Sequence, residues 1–142
     1  MSHEHVEASV ALMNDKVQFK GAAGANPPIT FDYYPPLGDG QGYTGLEGFL
    51  TSLAACSGTA VVFLLRRMHK NIAGCQVHAQ GVRRDQHPTC FQKIFLEFVI
   101  DSEDVTVADL QKAIQLSEES YCPVWAMIQN NVEVVTTAKI NP

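Results

Sequence analysis

The chain has 142 residues, of which 46% are hydrophobic and 18% are charged, and it carries a formal net charge of -5 at pH 7. This length predicts a single domain over residues 1–142, large enough to bury about 68–70% of the surface of its unfolded chain. The negative net charge gives no sign of the basic surface that nucleic-acid binding requires, and it makes anionic membranes unfavourable partners.

The N-terminal segment and the cysteine content both indicate a reducing compartment. Residues 1–14 lack the basic start and the apolar core of a signal peptide, so a cytoplasmic location is expected. Cysteines in such a compartment are thiols, ligands or redox groups rather than structural disulfides. The four cysteines are Cys56, Cys75, Cys90 and Cys122. None forms a Cys-x-x-Cys pair, which removes the main support for zinc-ribbon and thioredoxin-like sites.

Alternation of polar and apolar residues predicts three short strands at the start of the chain. Residues 6–13 and 17–20 alternate on either side of a turn, which predicts a β-hairpin. Residues 29–34 predict a third strand. The proline- and glycine-rich segment 35–42 then forms a loop that leads into a long apolar stretch.

That apolar stretch predicts a long helix over residues 46–70. It contains seventeen consecutive uncharged residues, Phe49 to Leu65, with Cys56 near their middle. Because apolar residues occur on every side, the pattern lacks the single stripe of a helix with one face in water, and it predicts a central, buried helix. A membrane span, which needs about 20 apolar residues, is the alternative. Serine, threonine and glycine dilute the run at its centre and disfavour that alternative.

Three further strands are predicted in the second half of the chain. Residues 75–84 and 91–100 form two of them, and the second alternates strictly, so that one of its faces is expected to cover a core. Residues 132–140 alternate as the last strand. With the helices, this order of elements predicts an α+β fold.

Two helices are predicted between these strands. Thr106 and Asp109 have the form of a capping box, which opens a helix with one buried stripe that continues to Tyr121. Pro123 then breaks and restarts the chain, because proline is favoured at a first helical position and not inside a helix. The second helix is short and ends near Gln129.

Two of the cysteines are placed where their chemistry differs. Cys122 is expected at the start of the short helix, where unpaired N–H groups and the helix dipole lower a thiol pKa. Cys56 is expected inside an apolar helix, where burial raises a thiol pKa. An unperturbed thiol is only a few per cent ionised near neutrality, so Cys56 needs a nearby cation or donor to be a good nucleophile. Packing as small hydrophobic residues is the alternative for both.

Three segments of the chain form a set that is specific when taken together. They are LTSLAACSGT at residues 50–59, preceded by Gly45 and Glu47, a stretch between His87 and Phe98, and EESYCPV at residues 118–124. This set resembles the OsmC/Ohr family of thiol-dependent peroxidases, over roughly residues 43–140.

The resemblance implies an OsmC-like two-layer fold, with a long central helix against an antiparallel or mixed sheet, in an intertwined homodimer. It implies that Cys56 attacks a hydroperoxide and becomes a sulfenic acid, and that Cys122 condenses with it to a disulfide. A small dithiol or a lipoyl group reduces that disulfide in such proteins, and no metal or organic cofactor is required. Organic or lipid hydroperoxides are the expected substrates, because a buried helix makes the pocket apolar.

The expected site departs from the family pattern at two places. Typical members carry an N-terminal arginine that holds the reactive thiolate, whereas this chain has no arginine before Arg66. Lys16 or Lys20 is the candidate substitute, although a lysine cannot reproduce a bidentate guanidinium contact. Glu47, the expected catalytic glutamate, lies nine residues before Cys56, and on a straight helix nine residues place it on the opposite face.

These departures leave alternatives open for both the function and the residues. Glu47 either serves the site, through a kink at Gly48 or in the other subunit, or stabilises the helix N-terminus. The protein is either a peroxidase or an OsmC-like dimer without turnover, which binds a small apolar ligand or senses redox state. Trp125 is expected either in an apolar pocket beside Cys122 or as an aromatic residue of the core or of an interface. Cys75 and Cys90 match no catalytic position.

Overall fold

The computed structural model describes residues 4–142. In chain order the elements are β1 (Ser9–Leu12), β2 (Phe19–Ala22), β3 (Ile29–Phe31), α1 (Gly45–Arg67), β4 (Gly74–Arg83), β5 (Phe91–Asp101), α2 (Val107–Leu116), a π-helical turn (Ser117–Tyr121), α3 (Pro123–Ile128) and β6 (Glu133–Asn141). The predicted α+β class and the predicted order of strands and helices are confirmed. By its internal contacts the chain forms two compact units, Met1–Phe49 and Leu50–Pro142. The single-domain organisation stays a prediction.

The first unit contains a three-stranded antiparallel sheet in the order β1-β2-β3. Its strands are shorter than the alternation predicts, and β3 ends at Phe31. The next residue, Asp32, is 5% exposed, and its carboxylate accepts the backbone N–H groups of Tyr33, Asp39 and Gln41 at 2.8, 3.3 and 3.0 Å. The N–H group of Gln41, with those of the other two residues, lowers the pKa of the Asp32 carboxyl. The carboxylate thus closes the loop that follows the strand.

The second unit contains a three-stranded mixed sheet in the order β4-β5-β6. The β4–β5 pair is antiparallel, and the β5–β6 pair is parallel. Parallel neighbours require a crossover connection, which α2, the π-helical turn and α3 supply here. The alternate residues of the central strand that face the core are all 0% exposed: Ile94, Leu96, Phe98 and Ile100. The predicted inward face of this strand is therefore confirmed.

Helix α1 begins with a capping box that the sequence analysis did not identify. The hydroxyl of Thr44 accepts the N–H of Glu47 at 3.1 Å, and the carboxylate of Glu47 accepts the N–H of Thr44 at 2.8 Å. The helix continues without interruption through Gly48. The backbone at the start of α1 therefore has the side-chain partners that its unpaired N–H groups need.

A single chain buries only one face of α1. The buried residues are Leu53, Ser57, Ala60, Val61, Leu64 and Leu65. On the other face, Thr51, Ala55 and Thr59 are exposed. The helix is long and apolar enough to cross a membrane, with a mean hydropathy of 1.8 over its most apolar window, but core helices meet the same criterion. Here α1 contributes fully buried residues to the core. Within one chain, however, the helix is not buried on every side as the sequence predicts.

The predicted capping box at the start of α2 is confirmed. The hydroxyl of Thr106 accepts the N–H of Asp109 at 3.1 Å, and the carboxylate of Asp109 accepts the N–H of Thr106 at 3.0 Å. The same carboxylate pairs with the ammonium group of Lys70 at 3.3 Å, just after α1. These contacts connect the end of α1 to the start of α2.

We expect Thr106→Ala to lower the free energy of unfolding by about 1 kcal/mol, because it removes the acceptor of the Asp109 N–H. Urea unfolding followed by circular dichroism measures the change. Thr106→Ser is the matched control, since serine keeps the hydroxyl and is expected to retain the stability. Equal losses in the two variants would contradict a role for the cap.

Candidate active site

The structure brings the thiols of Cys56 and Cys122 close enough to influence each other. Cys56 lies on α1 and is partly exposed, whereas Cys122 precedes α3 and is 2% exposed. Both are free thiols. The two predicted site cysteines are therefore adjacent, with the first accessible from solvent and the second enclosed by protein.

Cys122 occupies the predicted position at the start of a helix. Its backbone is extended, its N–H donates to the carbonyl oxygen of Ser117 at 2.9 Å, and Pro123 follows as the first residue of α3. The sulfur of Cys122 accepts the N–H of Trp125 at 3.4 Å and so acts as the N-terminal cap of α3. The π-helical turn immediately before it was not predicted, since the 3,4 spacing indicated a helix continuing to Tyr121.

The pKa of the Cys56 thiol is raised, first of all by burial. The backbone N–H of Val124, in the first turn of α3, acts in the opposite direction because it donates to the Cys56 sulfur. Contact with Cys122 raises the pKa of Cys56 further. Cys56 in the reduced protein therefore favours its protonated form, as the sequence analysis expected for a thiol inside an apolar helix.

Ser57 belongs to the site although sequence reasoning did not identify it. Its hydroxyl oxygen lies 3.5 Å from the sulfur of Cys122, and the residue is 0% exposed. A serine inside an apolar helical run is a weak signal, because such a hydroxyl usually bonds to its own helix. Ser117 is also 0% exposed, and its hydroxyl has no hydrogen-bond partner among the described residues.

The other predicted site residues belong to the first unit. Glu47 lies three residues after Thr44 and forms the capping box with it. It therefore stabilises the N-terminus of α1, which is one of the two roles predicted for it. The ammonium group of Lys16 pairs with the carboxylate of Asp39 at 2.6 Å, and this contact raises the pKa of the lysine. Lys20 lies on β2, opposite Thr30. Catalytic roles for Glu47 and the lysines stay predictions.

The remaining cysteines lie outside this pair of thiols. Cys75 is on β4, where burial, followed by the charge of Asp101, raises its thiol pKa. Cys90 is exposed in the connection before β5. Within residues 4–142, no group of three or more histidine, cysteine, aspartate or glutamate residues could hold a metal ion. The chemistry that this arrangement supports is the exchange of electrons between two thiols and a disulfide.

Comparison with known proteins places the chain in a family. A model of the OsmC-like protein family matches residues 38–137. Protein YhfA of Escherichia coli K12 is 28% identical over 95 residues, which are 67% of this chain and 71% of YhfA.

Two solved structures show the same fold. The OsmC-like protein from Mycoplasma pneumoniae has a TM-score of 0.85 at 16% identity, over 99% of this chain and 100% of that chain. The organic hydroperoxide resistance protein OhrB of Bacillus subtilis has a TM-score of 0.69 at 18% identity, over 97% of this chain and 100% of that chain. With the family model matching most of its length, the chain belongs to the OsmC-like protein family.

Proposed function

We propose that the protein is a thiol-dependent peroxidase that reduces organic hydroperoxides through Cys56 and Cys122. The contact between the two thiols is the observation that carries this proposal. Cys56 is partly exposed and can meet a hydroperoxide, whereas Cys122 is 2% exposed and is enclosed beside Cys56. The name of OhrB, an organic hydroperoxide resistance protein, agrees with this chemistry.

The reaction has three steps. The sulfur of Cys56 attacks the terminal oxygen of the hydroperoxide, the O–O bond breaks, and the alkoxide leaves as an alcohol after taking a proton. The sulfur of Cys122 then attacks the sulfenic acid on Cys56, a disulfide forms, and water or hydroxide leaves. A small dithiol or a lipoyl dithiol reduces that disulfide and is itself oxidised to a disulfide. Glu47 is proposed to assist at the site.

Apolar hydroperoxides are the substrates that the surroundings favour. Tyr121, next to Cys122 in the chain, packs against Phe63 of α1 with ring centroids 6.4 Å apart. The Tyr121 ring remains 45% exposed, whereas Phe63 also lines the open face of α1. Because Tyr121 is next to the buried thiol in the chain, its ring offers an apolar surface to an alkyl or aryl group. An organic hydroperoxide therefore fits better than hydrogen peroxide does.

The active form is proposed to be an intertwined homodimer, built on the open face of α1. A groove of about 850 Å³ runs along that face. Its lining residues are Thr51, Ala54, Ala55, Gly58, Thr59, Val62, Phe63, Arg66, Arg67, Cys75 and Val77. The small residues in the middle of the helix allow another helix to approach closely, and the lining is mainly apolar. The α1 helix of a second copy fits both features. We propose that this dimer is located in the cytoplasm.

We expect reduced protein to consume cumene hydroperoxide with dihydrolipoamide as reductant, and Cys56→Ser to abolish this turnover. Cys90→Ser is the matched control, because Cys90 is an exposed thiol outside the pair and is expected to leave the rate unchanged. Mass spectrometry after one equivalent of hydroperoxide is expected to show a disulfide between Cys56 and Cys122. Unreacted Cys56 under these conditions would overturn the peroxidase proposal.

A redox sensor without turnover is the second candidate function. The observation that favours it is the raised pKa of Cys56, which slows attack on a hydroperoxide. A sensor would form the disulfide once and would not be reduced fast enough by dihydrolipoamide for repeated turnover. If no disulfide forms, both redox functions are ruled out. The remaining alternative is then the binding of a small apolar ligand by an OsmC-like dimer.

A further inference from the structure

The π-helical turn before Cys122 leaves one backbone carbonyl without its usual helical partners. In an α-helix the carbonyl oxygen of Glu118 would accept the N–H four residues ahead, which is that of Cys122. The π-helical turn directs this N–H to the carbonyl oxygen of Ser117 instead, at 2.9 Å. The residue five positions ahead of Glu118 is Pro123, which has no N–H. The Glu118 carbonyl therefore needs a donor from another part of the chain.

The side chain of Gln129 supplies that donor. Its Nε2 group donates to the Glu118 carbonyl oxygen at 3.0 Å, across 11 positions of the chain. Gln129 caps the end of α3, and Cys122 caps its start. The hydrogen bond thus connects the end of α3 to the turn in front of it. A helix of 6 residues is too short to be stable alone, so the contacts at its two ends determine where it lies.

The first turn of α3 carries N–H groups that reach both sulfurs of the cysteine pair. The N–H of Val124 donates to the Cys56 sulfur, and the N–H of Trp125 donates to the Cys122 sulfur at 3.4 Å. These two donors belong to consecutive residues, and Cys122 directly precedes their helix. A shift of α3 would therefore move both donors and Cys122 together, and the position of α3 sets the geometry of the pair.

We propose that Gln129 is a positioning residue of the peroxidase reaction, which holds α3 so that Cys122 meets the oxidised sulfur of Cys56. The step that depends on it is the second one, in which the Cys122 thiol and the Cys56 sulfenic acid form a disulfide and release water. Gln129 is exposed and acts through its bond to the Glu118 carbonyl. The proposal rests on the peroxidase function proposed above.

The test follows a single turnover of reduced protein after rapid mixing with one equivalent of cumene hydroperoxide. Trapping of thiols and of sulfenic acid at successive times, followed by mass spectrometry, separates the oxidation of Cys56 from the formation of the disulfide. Gln129→Glu keeps the size of the side chain but removes its N–H donor. It is expected to slow the conversion of sulfenic acid into disulfide about threefold to tenfold, the effect of one hydrogen bond on a rate. Gln129→Ala is expected to do the same without an added charge.

The pH profile of the first oxidation is a second readout, which a purely structural role of Gln129 would not move. The N–H of Val124 lowers the pKa of the Cys56 thiol, and a displaced α3 would withdraw it. Both Gln129 variants are therefore expected to move the midpoint of this profile to higher pH.

Gln115→Glu is the matched control, because it makes the same change of charge beside the same turn. The Nε2 group of Gln115 donates at 3.0 Å to the side-chain carboxylate of Glu119, so the substitution leaves the Glu118 carbonyl with its donor. Both readouts are expected to match those of the wild type.

If the Gln129 variants form the disulfide as fast as the wild type, the proposal is wrong while the peroxidase function stands. Equal slowing by Gln115→Glu and Gln129→Glu, with no slowing by Gln129→Ala, would assign the effect to charge and would also overturn the proposal. A wild-type protein that forms neither sulfenic acid nor disulfide would instead overturn the peroxidase function itself.

Discussion

Replacing Ala55 by glutamate is expected to convert the proposed homodimer into a monomer. Ala55 is exposed on α1 in a single chain and lies among the small residues that line its groove. A second copy that covers this face would enclose the new carboxylate without a partner. Burying an unpaired ion costs several kcal/mol even after relaxation, which is a large fraction of the free energy of a typical dimer interface. The free monomer, in contrast, keeps the carboxylate in water.

Light scattering coupled to size-exclusion chromatography measures the result as a halving of the molecular mass. Ala108→Glu is the matched control. Ala108 is an exposed alanine in the first turn of α2, and its replacement by glutamate changes the net charge by the same amount. The control is expected to remain dimeric. A dimer that survives Ala55→Glu would show that the copies meet through another face, and the groove would then need a different occupant.

Local patterns in the sequence predict much of this fold because they act over a few residues. The alternation in β5 predicts its buried face, Thr106 and Asp109 predict the cap of α2, and Pro123 predicts the start of α3. Each of these features depends on neighbours at most four residues away. The position of Cys122 before α3 follows from the same kind of local rule.

Contacts between distant residues are where sequence reasoning fails. The hydroxyl of Ser57 reaches Cys122 across 65 positions, and no local pattern marks that contact. The Asp32 carboxylate closes the loop after β3 by accepting N–H groups from residues up to nine positions away. The parallel pairing of β6 with β5 depends on a crossover that only the assembled unit defines. The open face of α1 was not predicted for the same reason. An apolar pattern does not show whether residues of the same chain cover every side of a helix.

Trp125→Ala is expected to lower the free energy of unfolding by about 3–5 kcal/mol, the usual cost of removing a large buried aromatic side chain. Trp125 is 2% exposed, which places it in the core, one of the two locations that the sequence analysis left open. Its backbone N–H also bonds to the Cys122 sulfur, in the same turn as the N–H of Val124, so loss of the buried indole is expected to loosen that turn. The variant is therefore also expected to form the disulfide between Cys56 and Cys122 more slowly.

Urea unfolding under reducing conditions, followed by circular dichroism, measures the loss of stability without a contribution from the disulfide. Fluorescence is unsuitable because Trp125 is the single tryptophan. Met127→Ala is the matched control, since Met127 lies on the same helix and is 76% exposed. Its effect is expected to stay within about 0.5 kcal/mol. Equal losses of unfolding free energy in the two variants would mean that contacts other than those of the indole hold α3 in place. The position of Cys122 would then depend on the π-helical turn that precedes it.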